Sequence, residues 1–125
     1  MDRLIPYLTV DGARKAIDFY KQAFAAEEVD HKTAEDGKRI MHGYIRINGH
    51  DVFLSDAFPE YGEPMREPAS VTIHLEVEDA DLWFERAVAA GATVKMPLDN
   101  QFWGARYGQL RDPFGHSWSV GGPVK

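Results

Sequence analysis

Three segments of this chain recur in order at a nearly constant separation, and a chain that repeats itself in this way is built from two copies of one supersecondary unit. PYLTVDGA at residues 6–13 overlays IHLEVEDA at 73–80, sharing Leu, Val and Ala at an offset of 67. FAAEEV at 24–29 overlays AAGATV at 89–94 at an offset of 65, and Gly49-His50 recurs as Gly115-His116 at 66. One domain over 1–125 follows, with a first module over 1–57, a crossover over 58–69 and a second module over 70–125.

Hydrophobic periodicity supplies the content of each module. Residues 5–10 alternate, with Ile5, Tyr7 and Thr9 on one face and Pro6, Leu8 and Val10 on the other, the pattern of a half-buried strand. Asp11 is placed to cap a helix over 12–26, where Ala13, Ala16, Ile17, Tyr20 and Phe24 fall on one side. Beyond the polar Glu35-Asp36-Gly37, residues 38–47 alternate again, and Asn48-Gly49 predicts a two-residue hairpin turn into a strand over 51–55. The segment 56–69 carries Pro59, Gly62, Pro64 and Pro68, which oppose regular structure. The second half repeats the order: strand 71–77, helix 79–90 stopped by Gly91, strand 93–96 and two more strands. The predicted fold is α+β, two tandem βαβββ modules forming a curved mixed sheet around a cavity. Each module would leave one sheet face uncovered, so the two are expected to pack together.

Composition removes several functions. No apolar run approaches the roughly 18–20 residues of a membrane span, and MDRLIPYLTV enters a strand directly without the sections of a secretory signal, so a cytoplasmic location is expected. The chain has no cysteine, which excludes disulfides, thiolate nucleophiles and Cys-ligated metals. Its 14 basic and 20 acidic residues give a net charge of −6, and the bases are scattered, so the footprint of a nucleic-acid binder is missing. Nucleophile-elbow, phosphate-loop and dinucleotide motifs are absent.

A site is expected on the faces that the helices leave free. The aliphatic set Val71, Ile73, Leu75 and Val77 belongs under the second helix, so Thr72, His74 and Glu76 look the other way, matched in the first module by Ile5, Tyr7 and Thr9. A half-barrel with such a lining is a ligand cavity of mixed polarity. Phe102, Trp103 and Tyr107 beside Arg106 form either a stacking wall with a bidentate donor for a planar or anionic group, or a plug under a loop. His74 is either a hydrogen-bonded cavity histidine or a general base, for which an imidazole of ordinary pKa near ~6.5 is suited. Asp56 is an acid or base, or a cap of the crossover. His42 shares a strand face with Tyr44 and Arg46, His31, His50 and His116 fall in turns or at strand edges, and Tyr20, Phe24, Trp83 and Phe84 are core or subunit contacts.

The duplicated order, the Asp112-Pro113-Phe114-Gly115-His116 run before the last strand and His74 on the fifth strand together resemble the vicinal oxygen chelate superfamily of glyoxalase I, bleomycin-resistance proteins and extradiol dioxygenases. Phe53 to Pro59, Asn100 to Gly104 and Arg106-Tyr107-Gly108 are similar to its PhnB-like branch. The resemblance implies a homodimer that takes a small organic molecule. It also implies a divalent metal held from the first and last strands of each module by His or Gln and Glu. Carried over by position, those four places fall on Tyr7, on Phe53 (or Ser55 on the same face), on His74 and on Ser119. Only His74 keeps a ligand, and a lone imidazole does not hold zinc or iron against water, so no metal cofactor is expected. The cavity is then lined by Tyr7, Phe53, Ser55, His74, Trp103, Arg106, Tyr107 and Ser119. Three functions stay open: binding without chemistry, a metal-dependent lyase or dioxygenase, and metal-free acid-base catalysis by His74 with Tyr7.

Overall fold

In the computed structural model, which describes residues 2–125, the chain runs β1 (Tyr7–Val10), α1 (Ala13–Phe24), β2 (Glu27–Thr33), β3 (Ile40–Ile47), β4 (His50–Asp56), β5 (Thr72–Glu76), α2 (Ala80–Ala90), β6 (Thr93–Asn100), β7 (Arg106–Arg111) and β8 (Ser117–Gly122). Two units part between Arg66 and Glu67. Each holds one four-stranded mixed sheet and one helix, with strand orders β1-β4-β3-β2 and β5-β8-β7-β6. The first strand of each unit pairs parallel with the last, and the other pairs are antiparallel. Parallel partners cannot be joined by a hairpin, so each unit makes its return through a helix and two intervening strands. No helix of the described residues is long and apolar enough to cross a membrane.

The predicted elements are recovered, with corrections at their ends. Strand β1 begins at Tyr7 instead of Ile5, because Pro6 has no N–H to give a ladder; its carbonyl still accepts from the Phe53 N–H at 2.9 Å. Asn48 (φ 53°) and Gly49 (φ 78°) both take the left-handed conformation of the expected hairpin turn. Val71 does not lie under α2: it is 72% exposed and precedes β5, following Ser70 with its φ of 63°. Strand β6 runs four residues beyond the predicted Met96, to Asn100. It is an edge strand with register shifts around Met96, which is where a sheet can accept Pro97. Trp83 is only half-buried, with Arg86 lying 4.7 Å above its ring, whereas Tyr20, Phe24 and Phe84 are core.

The core of the first unit is Leu8, Val10, Ile17, Tyr20, Phe24, Ile45 and Leu54, and that of the second is Leu75, Phe84, Ala87, Leu110, Trp118 and Val120. Burial of such side chains supplies about 1.5–3 kcal/mol each. Asp112 of the family-like motif builds the turn into β8. Its carboxylate accepts from the Phe114 and His116 N–H groups and from Trp118 Nε1 at 2.8–3.0 Å, anchoring the largest core side chain.

The largest correction concerns the start of α1. Asp11 does not cap it, and Gly12, with φ 101°, contributes no side chain. The cap is Asp56 at the far end of β4: one carboxylate oxygen accepts from the N–H of Gly12 (2.9 Å) and Ala13 (2.8 Å), the other from that of Ile40 (2.8 Å). Asp56 is thus a structural acceptor, 7% exposed, and neither acid, base nor crossover cap. In the second unit α2 carries its own cap, Asp79, which accepts from the Leu82 N–H. The place matching Asp56 is Gly122, where an added Cβ would lie 2.4 Å from the Val77 carbonyl oxygen. Removing the shared acceptor in Asp56→Ala leaves three backbone donors unpaired, two of them buried, and should lower stability by about 3 kcal/mol. The measurement is the urea midpoint at pH 7, and a loss below ~1 kcal/mol would show that water replaces the carboxylate.

Candidate functional site

Parallel register decides which side chains share the free face of each sheet. In the first unit Tyr7 stands opposite Phe53 and Thr9 opposite Ser55, and in the second His74 stands opposite Ser119 and Glu76 opposite Gly121. Tyr7 and Phe53, and His74 and Ser119, the four places to which the resemblance assigns ligands, are therefore equivalent pairs on adjacent strands.

The first unit has a cavity of about 580 Å³ lined by Tyr7, Thr9, Met41, Ser55, Phe58, Tyr61 and Glu63. Of the residues expected around one cavity, Tyr7 and Ser55 stand in this wall and Phe53 does not, and Ile5 lies outside the strand. The Phe53 ring instead packs among Tyr7 (5.7 Å between centroids), His42 (4.7 Å) and Tyr44 (5.1 Å). The Tyr7 hydroxyl is 3.0 Å from His42 Nδ1, so its partner is His42 of its own sheet. Phe58, Tyr61 and Glu63 went unnoticed in the sequence because the proline-rich crossover reads as linker. A turn of 3-10 helix at Pro59–Tyr61 and a bridge between Phe58 and Glu63 bring them back onto the sheet.

The second unit has a cavity of about 450 Å³ lined by Thr72, His74, Glu76, Trp103, Ala105, Arg106, Tyr107, Ser119 and Gly121. Five of the expected residues meet here: His74, Trp103, Arg106, Tyr107 and Ser119. His74 holds a partner on each ring nitrogen, Ser119 Oγ on Nδ1 at 2.7 Å and Glu76 Oε1 on Nε2 at 2.8 Å. A carboxylate only accepts, so neutral His74 carries its proton on Nε2, and the Nδ1 lone pair takes the hydroxyl proton of Ser119. Gly121 makes room for this arrangement, since a Cβ there would sit 2.8 Å from His74 Cε1. The imidazole stacks on Tyr107 (5.8 Å, 21°), whose hydroxyl accepts from Gln109 Nε2 at 3.1 Å. Trp103 meets Tyr107 edge-on at 5.7 Å. Phe102 is 97% exposed and does not line the cavity, so it is neither wall nor plug.

Arg106 departs from its expected part. Its Nε and one terminal nitrogen fork onto Asp81 of α2 at 2.9 and 2.8 Å, and the other reaches Asn100 Oδ1 at 3.2 Å. The guanidinium hydrogen bonds hold the Asp81 carboxyl below the usual carboxylate range, and Asp81 in turn raises Arg106. A guanidinium held by that fork tethers the loop before β7 to α2 and is not a free receptor for a ligand anion.

The donor set at the four equivalent positions is a phenol, no donor at Phe53, an imidazole and a hydroxyl. Among the described residues no three His, Asp or Glu side chains gather into a group that could hold a metal ion.

Residues 2–120 match the model of the glyoxalase/bleomycin resistance protein/dioxygenase superfamily. Protein Rv0887c of Mycobacterium tuberculosis is 49% identical over 98% of this chain and 75% of its own length. Among solved structures, protein PA1353 of Pseudomonas aeruginosa is 28% identical with a TM-score of 0.78, covering the whole of both chains. The PhnB protein of Bacillus cereus shares the fold, at 22% identity and a TM-score of 0.72 over 97% of this chain and 99% of that one.

The hydrogen bonds of His74 set an expectation for its tautomer. At alkaline pH, nitrogen-15 NMR of the ring should show a protonated Nε2 and a bare Nδ1, and Glu76→Gln should weaken that preference. A ring protonated on Nδ1 would mean that Ser119, not Glu76, sets its orientation.

Proposed function

The chain belongs to the glyoxalase/bleomycin resistance protein/dioxygenase superfamily, and from that premise we propose that it is a small-molecule-binding member working without the family metal. One observation carries this reading: at the places where the resemblance puts acidic ligands stand Phe53, with no donor atom, and Ser119, a neutral hydroxyl committed to His74. With one imidazole remaining, the residues do not fit a divalent ion, which needs three or four such donors. What remains in each unit is a cavity of several hundred Å³ walled by aromatic rings and a few polar groups, the usual make-up of an organic-ligand site. The working form in this reading is a cytoplasmic homodimer, and light scattering at micromolar concentration tests the dimer.

A second reading, proton transfer by His74, draws on the same hydrogen bonds. With Nε2–H directed at Glu76, the basic Nδ1 faces Ser119, so a proton can pass only through that hydroxyl or after Glu76 swings aside. Tyr7, expected as its partner in catalysis, lines the cavity of the first unit instead, with its hydroxyl on His42.

Screening small planar compounds by tryptophan fluorescence and thermal shift, with and without chelator, tests the principal reading. Saturable binding that EDTA leaves unchanged within a factor of about two is the expected result. Protein purified without chelator that carries close to one zinc, iron or manganese per chain would end the metal-free reading. For the second reading, His74→Ala should abolish turnover while binding persists; loss of both would make His74 a binding residue only.

A further inference from the structure

Charge inside the two cavities points to a ligand class, and the argument rests on the binding function proposed above. In the first unit the cavity wall holds three aromatic residues, Tyr7, Phe58 and Tyr61, the thioether of Met41 and a single charged residue, Glu63. Glu63 makes no side-chain ion pair among the described residues, and its backbone bridge to Phe58 fixes where it stands. Tyr61, 68% exposed, stands at the open side.

In the second unit the wall holds the rings of Trp103 and Tyr107 together with His74, Glu76 and Arg106. Arg106 is neutralised by its fork on Asp81. When His74 is neutral, the hydrogen bond from its Nε2 leaves the negative charge of Glu76 in place, and that side chain is 74% exposed. Each cavity thus ends with one carboxylate free of a cationic partner beside two aromatic residues, Tyr7 and Tyr61 in the first, where Arg39 already covers Phe58, and Trp103 and Tyr107 in the second. The same balance is reached independently in two units whose wall residues differ.

A carboxylate among aromatic rings attracts a cation twice, through its charge and through the negative ring faces, and repels an anion. The chain shows this pairing internally, where the Arg39 guanidinium sits 4.3 Å above the Phe58 ring. We infer that both cavities select organic cations, amines or quaternary ammonium groups on a flat or aromatic body, with Glu63 and Glu76 as the charge-reading residues. This reverses the anionic preference that an unpaired Arg106 would have implied.

The test uses three probes of one shape: trimethyl(2-phenylethyl)ammonium, neutral 2-phenylethanol and anionic phenylacetate. Binding is followed at pH 8 and low salt by two-dimensional NMR, reading the Trp103 indole for the second unit and the Tyr61 and Glu63 amides for the first. The cation should bind about tenfold tighter than the alcohol, and the anion weakest of the three. Glu76→Gln should remove the preference at Trp103 and leave the first unit unchanged, and Glu63→Gln should do the reverse. Both glutamates are exposed, so the substituted chains should fold, and unchanged thermal midpoints verify that they do. Phenylacetate binding as tightly as the cation, or a cation preference that survives the matching substitution, overturns the inference. Equal binding of cation and alcohol overturns it too, while leaving the cavities as binding sites. Absence of any saturable shift with all three probes overturns the binding function itself.

Discussion

The parallel pairing of the first strand of each unit with its last is the constraint on which everything else here depends. It forces a helix to lie over one face of the sheet and so commits alternate residues of β1, β4, β5 and β8 to opposite fates. Leu8, Val10, Leu54, Leu75 and Val120 turn to the helices and become core, while Tyr7, Ser55, His74 and Glu76 turn away. A one-residue slip of either pair would exchange the two sets, so the identity of the candidate site and the stability of the fold are settled by one register.

Where a polar group must be buried, the chain meets the requirement with single carboxylates that each serve several donors. Asp112 accepts from two turn amides and the Trp118 indole, and Asp56 from three backbone amides on two elements. At the cavity wall the His74 imidazole is held on both ring nitrogens, by the Ser119 hydroxyl and by one oxygen of the exposed Glu76.

Much of this was legible in the residues. The three recurring segments carried the module order, and the alternation within 7–10 and 72–76 told the buried face from the free one, though it placed Val71 wrongly under the helix. Asn48-Gly49 and Gly91 marked a turn and a helix stop through backbone chemistry that depends on nearest neighbours alone. What stayed hidden depends on partners far along the chain. Nothing around Gly12 announces that its cap lies 44 residues away, at Asp56. The exposed-looking Arg106 gives no sign that Asp81 will occupy its fork. Phe58 and Tyr61 sit in a stretch whose prolines read as irregular, and irregular it largely is. Yet a single bridge to Glu63 is enough to make it a cavity wall.

The unlike capping of the two helices reaches beyond stability. Exchange of genetic material between the repeats, which tends to keep duplicated sequences alike, would here produce crippled hybrids. A copy of β4 written over β8 brings an aspartate to position 122, where the Val77 carbonyl leaves no room even for a Cβ. A copy of β8 written over β4 strips the α1 amides of their acceptor. Each last strand is thus matched to the helix start of its own unit and cannot be traded for the other.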